Sequence, residues 1–440
     1  MYKRINSLNA VTGEWLPNDK KIINNWVKSI FSEMKGSRAT ANDALVGGDN
    51  LPLANAEVLK FYEMVNEDVS LHILANQMFE QACENWQEDP YGNPAITNFK
   101  DFISVMDYIV SQAPRYMEQT EEGYGLLGFP LNAIVDFPMG TPAGYAFFLN
   151  EKVNMQLKNI LNEWCLFLTS ADSRDVLVDK MPNGKEGWLS DNARKVLNLD
   201  FYKYNDKEPY FGFKSWNDFF IREFKDGVRP IYAPDDNSIV NCACESGAYK
   251  ISENIQKGEK FWLKKQEYSV EYMLDSDCHK WSDIFVGGTI FQAFLSATKY
   301  HRWHCPVNGK IVDCYNIDGT YYSELLQDMK DPDKSGPNFS QGYITHTAAR
   351  CVIIIESETL GRIAFVAVGM AEVSSCKITA KVGQTIKKGD ELGYFQFGGS
   401  SHCLIFEPNV KLKFVEDAIP APDFNDSPIL PVNGKLADAS

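Results

Sequence analysis

The spacing of apolar side chains changes near residue 205, which restricts this chain to folds that join a helical part to a mostly β part. Upstream, Ile22, Ile23, Trp26, Val27, Ile30, Phe31 and Met34 recur at three- and four-residue steps, as on one face of an α-helix. Asn18 or Asp19 is placed to cap that helix. Val58 to Trp86 continues the pattern through Leu59, Tyr62, Val65, Val69, Ile73, Met78 and Phe79. Phe99 to Val110 repeats it, and Val153, Leu157, Ile160, Leu161, Trp164, Phe167 and Leu168 mark another amphipathic helix. Turns at Pro90-Tyr91-Gly92-Asn93-Pro94 and Pro138-Met139-Gly140-Thr141-Pro142 separate these segments. The aromatic stripes read as core packing. Asp206-Lys207-Glu208-Pro209 marks a boundary, and a short helix begins at Ser215-Trp216. After Arg229-Pro230 the runs shorten and become β-like: Ile239 to Ala243, Thr289 to Leu295, Lys310 to Tyr315, Ala349 to Glu356 and Arg362 to Val368. The expected class is α+β: a helical N-terminal domain over 1–205, then a mostly β domain over 206–440 of sandwich or barrel type.

Composition narrows the partners. With 440 residues, 44% of them hydrophobic, the chain is long enough for two cored domains. A net charge of −16 without any Lys/Arg block disfavours nucleic acid and anionic lipid surfaces. The longest apolar stretches, Cys351 to Ile355 and Ile363 to Val368, fall far short of the ~20 residues a membrane span needs. The start, Met1-Tyr2-Lys3-Arg4-Ile5-Asn6, lacks a signal-peptide core. Ten scattered cysteines read as reduced thiols in a cytoplasmic protein. Cys242/Cys244 and Cys278/His279 have no second pair at zinc spacing, so no metal site is expected.

Three segments carry groups suited to chemistry. In Phe397-Gly398-Gly399-Ser400-Ser401-His402, a serine hydroxyl follows two glycines that permit unusual φ values. A serine so placed can attack the preceding carbonyl, turning the amide into an ester; elimination then leaves a pyruvoyl N-terminus. The segment does not match the G-x-S-x-G elbow of α/β-hydrolases. Tyr300-His301-Arg302-Trp303-His304-Cys305-Pro306 places two of only six histidines three apart. On a strand they point to opposite faces; on a tight turn they converge. Imidazole titrates near neutrality, so the pair suits acid/base work; a pair of hydrogen-bonded structural histidines is the other reading. Cys244-Glu245-Ser246-Gly247 puts a carboxylate just before a glycine turn, either solvated or orienting a histidine. Val382 to Gly393 looks like the hairpin of biotinyl/lipoyl-type barrel-sandwich domains, and it leads into the Gly399-Ser400 bond, which is therefore expected at a strand end or turn.

Taken in order, these landmarks resemble the phosphatidylserine decarboxylase family from about Ser215 to Pro408. Phe219-Phe220-Ile221-Arg222 with Arg229-Pro230-Ile231 resembles its opening motif. Ala243-Cys244-Glu245-Ser246-Gly247 occupies its Pro-Ala-Asp-Gly place, and Tyr300 to Pro306 resembles its Tyr-His-Arg-x-His-x-Pro block. Val368-Gly369-Met370-Ala371-Glu372-Val373 and Gly399-Ser400-Ser401 match its Val-Gly-Ala and Gly-Ser-Thr elements. The resemblance implies self-cleavage between Gly399 and Ser400, with Ser400 as nucleophile and then as the covalent pyruvoyl cofactor. It implies His304 as the base, Glu245 as the group orienting it, and His301 in proton transfer during decarboxylation. The products are two chains, 1–399 and 400–440, held by a shared sheet. Such a ketone forms a Schiff base with a substrate amine and accepts the electrons that departing CO2 leaves.

Departures from the family pattern are Glu245 in place of Asp, Lys299 in place of Asp, and Thr345-His346-Thr347-Ala348-Ala349-Arg350 in place of an Asn-Glu-Arg element. The long helical part and Trp164 to Arg174 look like the family's soluble subgroup, which decarboxylates free L-amino acids. A free aromatic, tryptophan-like substrate is the expectation. A phospholipid substrate, a non-catalytic barrel-sandwich binding module and a serine or metal hydrolase are the alternatives, and a homo-oligomer stays open.

Overall fold

The computed structural model describes residues 20–38, 45–46, 51–86, 94–117, 128–258, 268–295, 299–325, 340–369, 372, 375–397, 400–422 and 427–440. The chain divides into two compact units, one of 1–196, 204–219 and 320–340, the other of 197–203, 220–319 and 341–440. It is an α+β protein with helices concentrated in the first unit and strands in the second.

The helical unit is built from Lys20–Arg38, Ala56–Glu67, Val69–Trp86, Phe99–Val110, Pro130–Met139, Pro142–Phe148 and Glu151–Thr169. The helical periodicity from Val58 to Trp86 is shared by two helices, Ala56–Glu67 and Val69–Trp86. The structure breaks it at Asp68, whose extended φ/ψ ends the first helix and whose Oδ1 accepts Ser70 N and Leu71 N of the second. The expected cap at Asn18/Asp19 lies outside the described residues, as do residues 90–93 of the first expected turn. The second turn is an N-cap: Thr141 Oγ1 accepts Gly144 N at 3.0 Å and donates to Pro138 O at 2.7 Å. Gly144 fits because a Cβ there would sit 1.8 Å from Pro138 O. Phe61, Phe99, Phe102, Phe147 and Phe148 are buried together, with ring centroids 5.2–6.2 Å apart. Each buried aromatic of this kind is worth about 1.5–3 kcal/mol by area alone. Trp164 and Trp188 are buried with their indole N–H groups on Gln112 O and Pro114 O, which removes the cost of an orphaned donor.

The second unit is organised by an eight-stranded antiparallel sheet in the order Thr385–Ile386, Gly309–Ile317, Arg350–Ser357, Gly361–Gly369, Ser400–Phe406, Thr289–Leu295, Ser246–Glu253, Ile429–Leu430. A three-stranded sheet pairs Ser375–Ile378, Glu391–Gln396 and Arg302–His304. Another pairs Leu412–Phe414, Lys435–Ala439 and Ile239–Asn241. The β-branched runs of the sequence became inner strands: Val352 to Ile355 and Ile363 to Val368 are all buried. Strands covered on both faces need no polar alternation. The Ser400–Phe406 strand lies between Gly361–Gly369 and Thr289–Leu295, in register from Ser400 to Phe406 on both sides.

Candidate active site

Ser400 opens that inner strand, opposite Leu295 on one side and Gly369 on the other. Gly398, Gly399 and the Ser400 side chain lie outside the described residues, as do Met370, Ala371 and Val373 of the neighbouring motif. The residue before the glycines is Phe397, held at φ 58°. That left-handed conformation is uncommon for a bulky side chain, and it turns the chain between Glu391–Gln396 and the Ser400 strand.

His301 precedes the short Arg302–His304 strand, His304 ends it, and the two have separate surroundings, as opposite faces of a strand require. His301 is fully buried and stacks on Phe220 at 4.2 Å, and Phe220 packs on Phe397 at 6.1 Å. Phe395 N donates to His301 O at 3.0 Å. His301 thus sits beside the segment that runs into Ser400.

The partners of His304 define its tautomer. Nδ1 is 2.7 Å from Gly389 O, and a carbonyl only accepts, so the proton is on Nδ1. Nε2 then accepts from the Tyr300 hydroxyl at 2.8 Å. The backbone supports the ring, with His304 N donating to Ala243 O at 2.8 Å. Gly389 is a place where glycine matters: its φ is +83°, and a Cβ would meet Ile231 at 2.4 Å. Burial pulls His304 below its ordinary value, with the Gly389 bond opposing, so the imidazole is a neutral base at physiological pH. Burial also pushes the Tyr300 phenol up, keeping it a donor.

The expected contact between Glu245 and His304 is not made. Glu245 is buried, and Arg229 grips it from two nitrogens, Nε at 2.9 Å on Oε2 and Nη2 on Oε1. Val432 N adds a third bond to Oε2 at 2.9 Å. The carboxylate hydrogen bond holds the Arg229 guanidinium above its ordinary value. Glu245 thereby ties the Arg229 strand-entry segment to the C-terminal segment. Arg229 also lies over Phe224 at 4.8 Å, and Phe224 packs on Tyr300 at 4.3 Å. The Glu245 carboxylate is therefore linked to the His304 ring through Arg229, Phe224 and Tyr300.

Sequence reasoning gave no role to Tyr300, Gly389, Phe220 or Arg229. All four lay in segments singled out in the sequence, yet nothing in their spacing pairs His304 with Gly389, 85 positions away.

A family model described as phosphatidylserine decarboxylase matches residues 216–421, and a second with that description matches residues 55–197. The decarboxylase iboD of Amanita muscaria is 35% identical over 345 residues, covering 72% of this chain and 95% of that protein. The L-tryptophan decarboxylase of Psilocybe cubensis is 32% identical over 408 residues, 88% of each chain. Phosphatidylserine decarboxylase proenzyme 3 of Schizosaccharomyces pombe is 36% identical over 243 residues, 53% of this chain and 24% of that one. The similarity to the L-tryptophan decarboxylase, at 88% of this chain, therefore runs through the helical unit as well as the sheet that carries Ser400. On this breadth of match the chain belongs to the phosphatidylserine decarboxylase family and is a carboxy-lyase.

Proposed function

We propose that this chain cleaves itself between Gly399 and Ser400 and then decarboxylates a free L-amino acid with an aromatic, tryptophan-like side chain. The observation that carries the substrate reading is the 88% mutual coverage with an L-tryptophan decarboxylase, helical unit included. The match to the phosphatidylserine decarboxylase proenzyme is shorter, covering 53% of this chain and 24% of that one.

In the processing step Nε2 of His304 takes the Ser400 Oγ proton, the Tyr300 hydroxyl that it accepts from at rest giving way. Oγ bonds to the Gly399 carbonyl carbon, the Gly399–Ser400 C–N bond breaks, and an ester replaces the amide. Loss of the Ser400 α-proton then breaks the Cβ–Oγ bond, releasing residues 1–399 as a carboxylate and leaving dehydroalanine; water hydrolyses its imine tautomer, and ammonia departs to leave a pyruvoyl group at residue 400. The chain fits such a group. Phe397 turns the backbone before two glycines, and residue 400 heads a strand paired on both sides with residues of 1–399. A cut there leaves the small chain zipped into the large one. When formed, the ketone supplies an electron sink for decarboxylation. His301, walled by Phe220 next to Phe397, holds the proton that returns to the substrate. An apolar substrate side chain gains about 25 cal/mol per Å2 that it buries.

Intact-mass spectrometry and an amine-release screen test the reading together. The expected result is a small fragment that begins at residue 400 and lacks a serine amine, one full-length species for Ser400→Ala, and amine release from a free aromatic amino acid without lipid. An uncut, fully active chain overturns the processing. Turnover confined to phosphatidylserine in vesicles overturns the substrate.

A further inference from the structure

We propose that the helical unit holds a second, non-catalytic ligand site: a cavity of about 340 Å3 that takes a primary arylalkylammonium ion, with its ammonium on Glu33 and its ring against Trp26 and Tyr116. Identifying that ion with the enzyme's own amine product rests on the proposed decarboxylation; the site itself does not.

The cavity lies between the Lys20–Arg38 helix, the end of the Phe99–Val110 helix and residues 112–117 and 181–186. Small-molecule sites span about 300–1,000 Å3, so its size suits a compact ring with a short tail. Ile22, Ile30, Ala113 and Met181 give it apolar surface, and Trp26 and Tyr116 add aromatic rings. The wall is set before any ligand arrives. Gln112 O and Pro114 O accept the indole N–H groups of Trp164 and Trp188 at 2.8 and 2.7 Å, and Tyr116 packs edge-on against Trp188 at 5.3 Å. A ligand need not order such a wall on binding.

One carboxylate decides the charge of the ligand. Glu33 Oε2 accepts both the Tyr108 hydroxyl and Arg115 Nη1, the latter at 2.8 Å. Oε1 accepts no hydrogen bond from the described residues. Burial raises this carboxyl, but hydrogen bonds from Tyr108 and Arg115 and the charges of Arg115 and Lys185 outweigh it and hold Glu33 below its ordinary value. A fixed anion therefore presents one open oxygen to a largely apolar space.

The other charged groups of the lining are engaged or exposed. Arg115 places Nη1 on Glu33 and Nη2 on Gln112 Oε1 at 2.7 Å. The oxygens of Glu186 accept from Ser190 and Asn192. Lys185 is exposed, where an ion pair gains little. An ammonium brings three donors, its hydrogen bond to a carboxylate is of the strong, charge-assisted kind, and a cation beside an aromatic ring gains further. In the parent amino acid a carboxylate sits one carbon from the ammonium. Bringing it to Glu33 sets like charges together, so the site prefers the amine.

The test uses the full-length Ser400→Ala chain, which lacks the hydroxyl from which a ketone forms and so holds no amine covalently. Calorimetric titration compares 2-(indol-3-yl)ethylamine, the alcohol of the same skeleton and tryptophan. The amine is expected to bind about tenfold or more tighter than either, and Glu33→Gln is expected to erase the preference over the alcohol while alcohol binding persists. No saturable binding of the amine, equal affinity for amine and alcohol, or a preference that survives Glu33→Gln overturns the proposal. A second measurement leaves Glu33 in place: photolabelling of the same chain with 4-azidophenethylamine. Label should fall on peptides that contain Trp26 or Tyr116 and be competed by the indolic amine; label confined to other peptides overturns the proposal even where Glu33→Gln fails to fold. A wild-type chain that releases no amine from aromatic amino acids overturns the proposed function, while the binding results still decide the site.

Discussion

At the scale of single residues, buried histidines make this protein sensitive to acid. His402 is fully buried between Phe365 and Phe291, its Nδ1 has no hydrogen-bond partner among the described residues, and burial lowers it to about 3. His346, which accepts Ser269 N and lies against Gly342 O, is lowered to about 4 by burial. In the unfolded chain both titrate near 6.5. Below that pH the unfolded state binds protons that the native state refuses, so stability is full above pH 6.5 and is lost as pH falls toward 4 and 3. The slope is up to about 1.4 kcal/mol per pH unit for each group. Denaturant unfolding between pH 6.5 and 5, before the carboxylates titrate, should show this decline. In His402→Leu the slope should fall by about one proton, and an unchanged slope would assign the acid sensitivity to other groups.

Among elements, the Ser400–Phe406 strand has the most to explain. Cys403, Leu404, Ile405 and Phe406 are all fully buried, and the strand is bonded along its whole length on both sides. Downstream, Ile429–Leu430 pairs with Ser246–Glu253, and Lys435–Ala439 pairs with Ile239–Asn241. Residues 400–440 are therefore held at three places by residues of 1–399. If the chain is cut between Gly399 and Ser400 as proposed, the two parts should co-elute in native chromatography and separate only in denaturant. Leu404→Asp, which buries an unpaired carboxylate, should cost at least ~3 kcal/mol and release or prevent assembly of the small chain. Native co-elution of that variant at wild-type stability would show that the strand does not hold the fragment.

For the whole molecule, the sequence suggests one boundary near 205, but the compact units interleave. Residues 204–219 and 320–340 belong with the helical unit. Phe219 packs on Trp188 at 5.8 Å and Tyr322 on Phe148 at 6.4 Å, and all four are buried. A fragment of residues 206–440 would carry these aromatic groups without their partners, so it is expected to aggregate when expressed alone while the full chain does not. A monomeric, cooperatively melting fragment, read by light scattering and calorimetry, would refute this. No helix among the described residues is long and apolar enough to cross a membrane.

Local periodicity carried the elements. Phe99–Val110 and Thr289–Leu295 form where the side-chain pattern places them, because a half-buried helix and an inner strand impose different spacings on nearby residues. Pro130–Met139 escaped notice because it starts at one proline and contains another, Pro138, so its residues read as punctuation. The family match was legible because motifs keep their order along the chain. The partners of the site residues were not. Whether Glu245 meets His304 or Arg229, and whether Nδ1 of His304 faces a carboxylate or the carbonyl of Gly389, depends on which loops the sheets bring together. Hydrogen bonds reach only about 3 Å, and no one-dimensional spacing encodes which residue, 16 or 85 or 187 positions away, arrives at that distance.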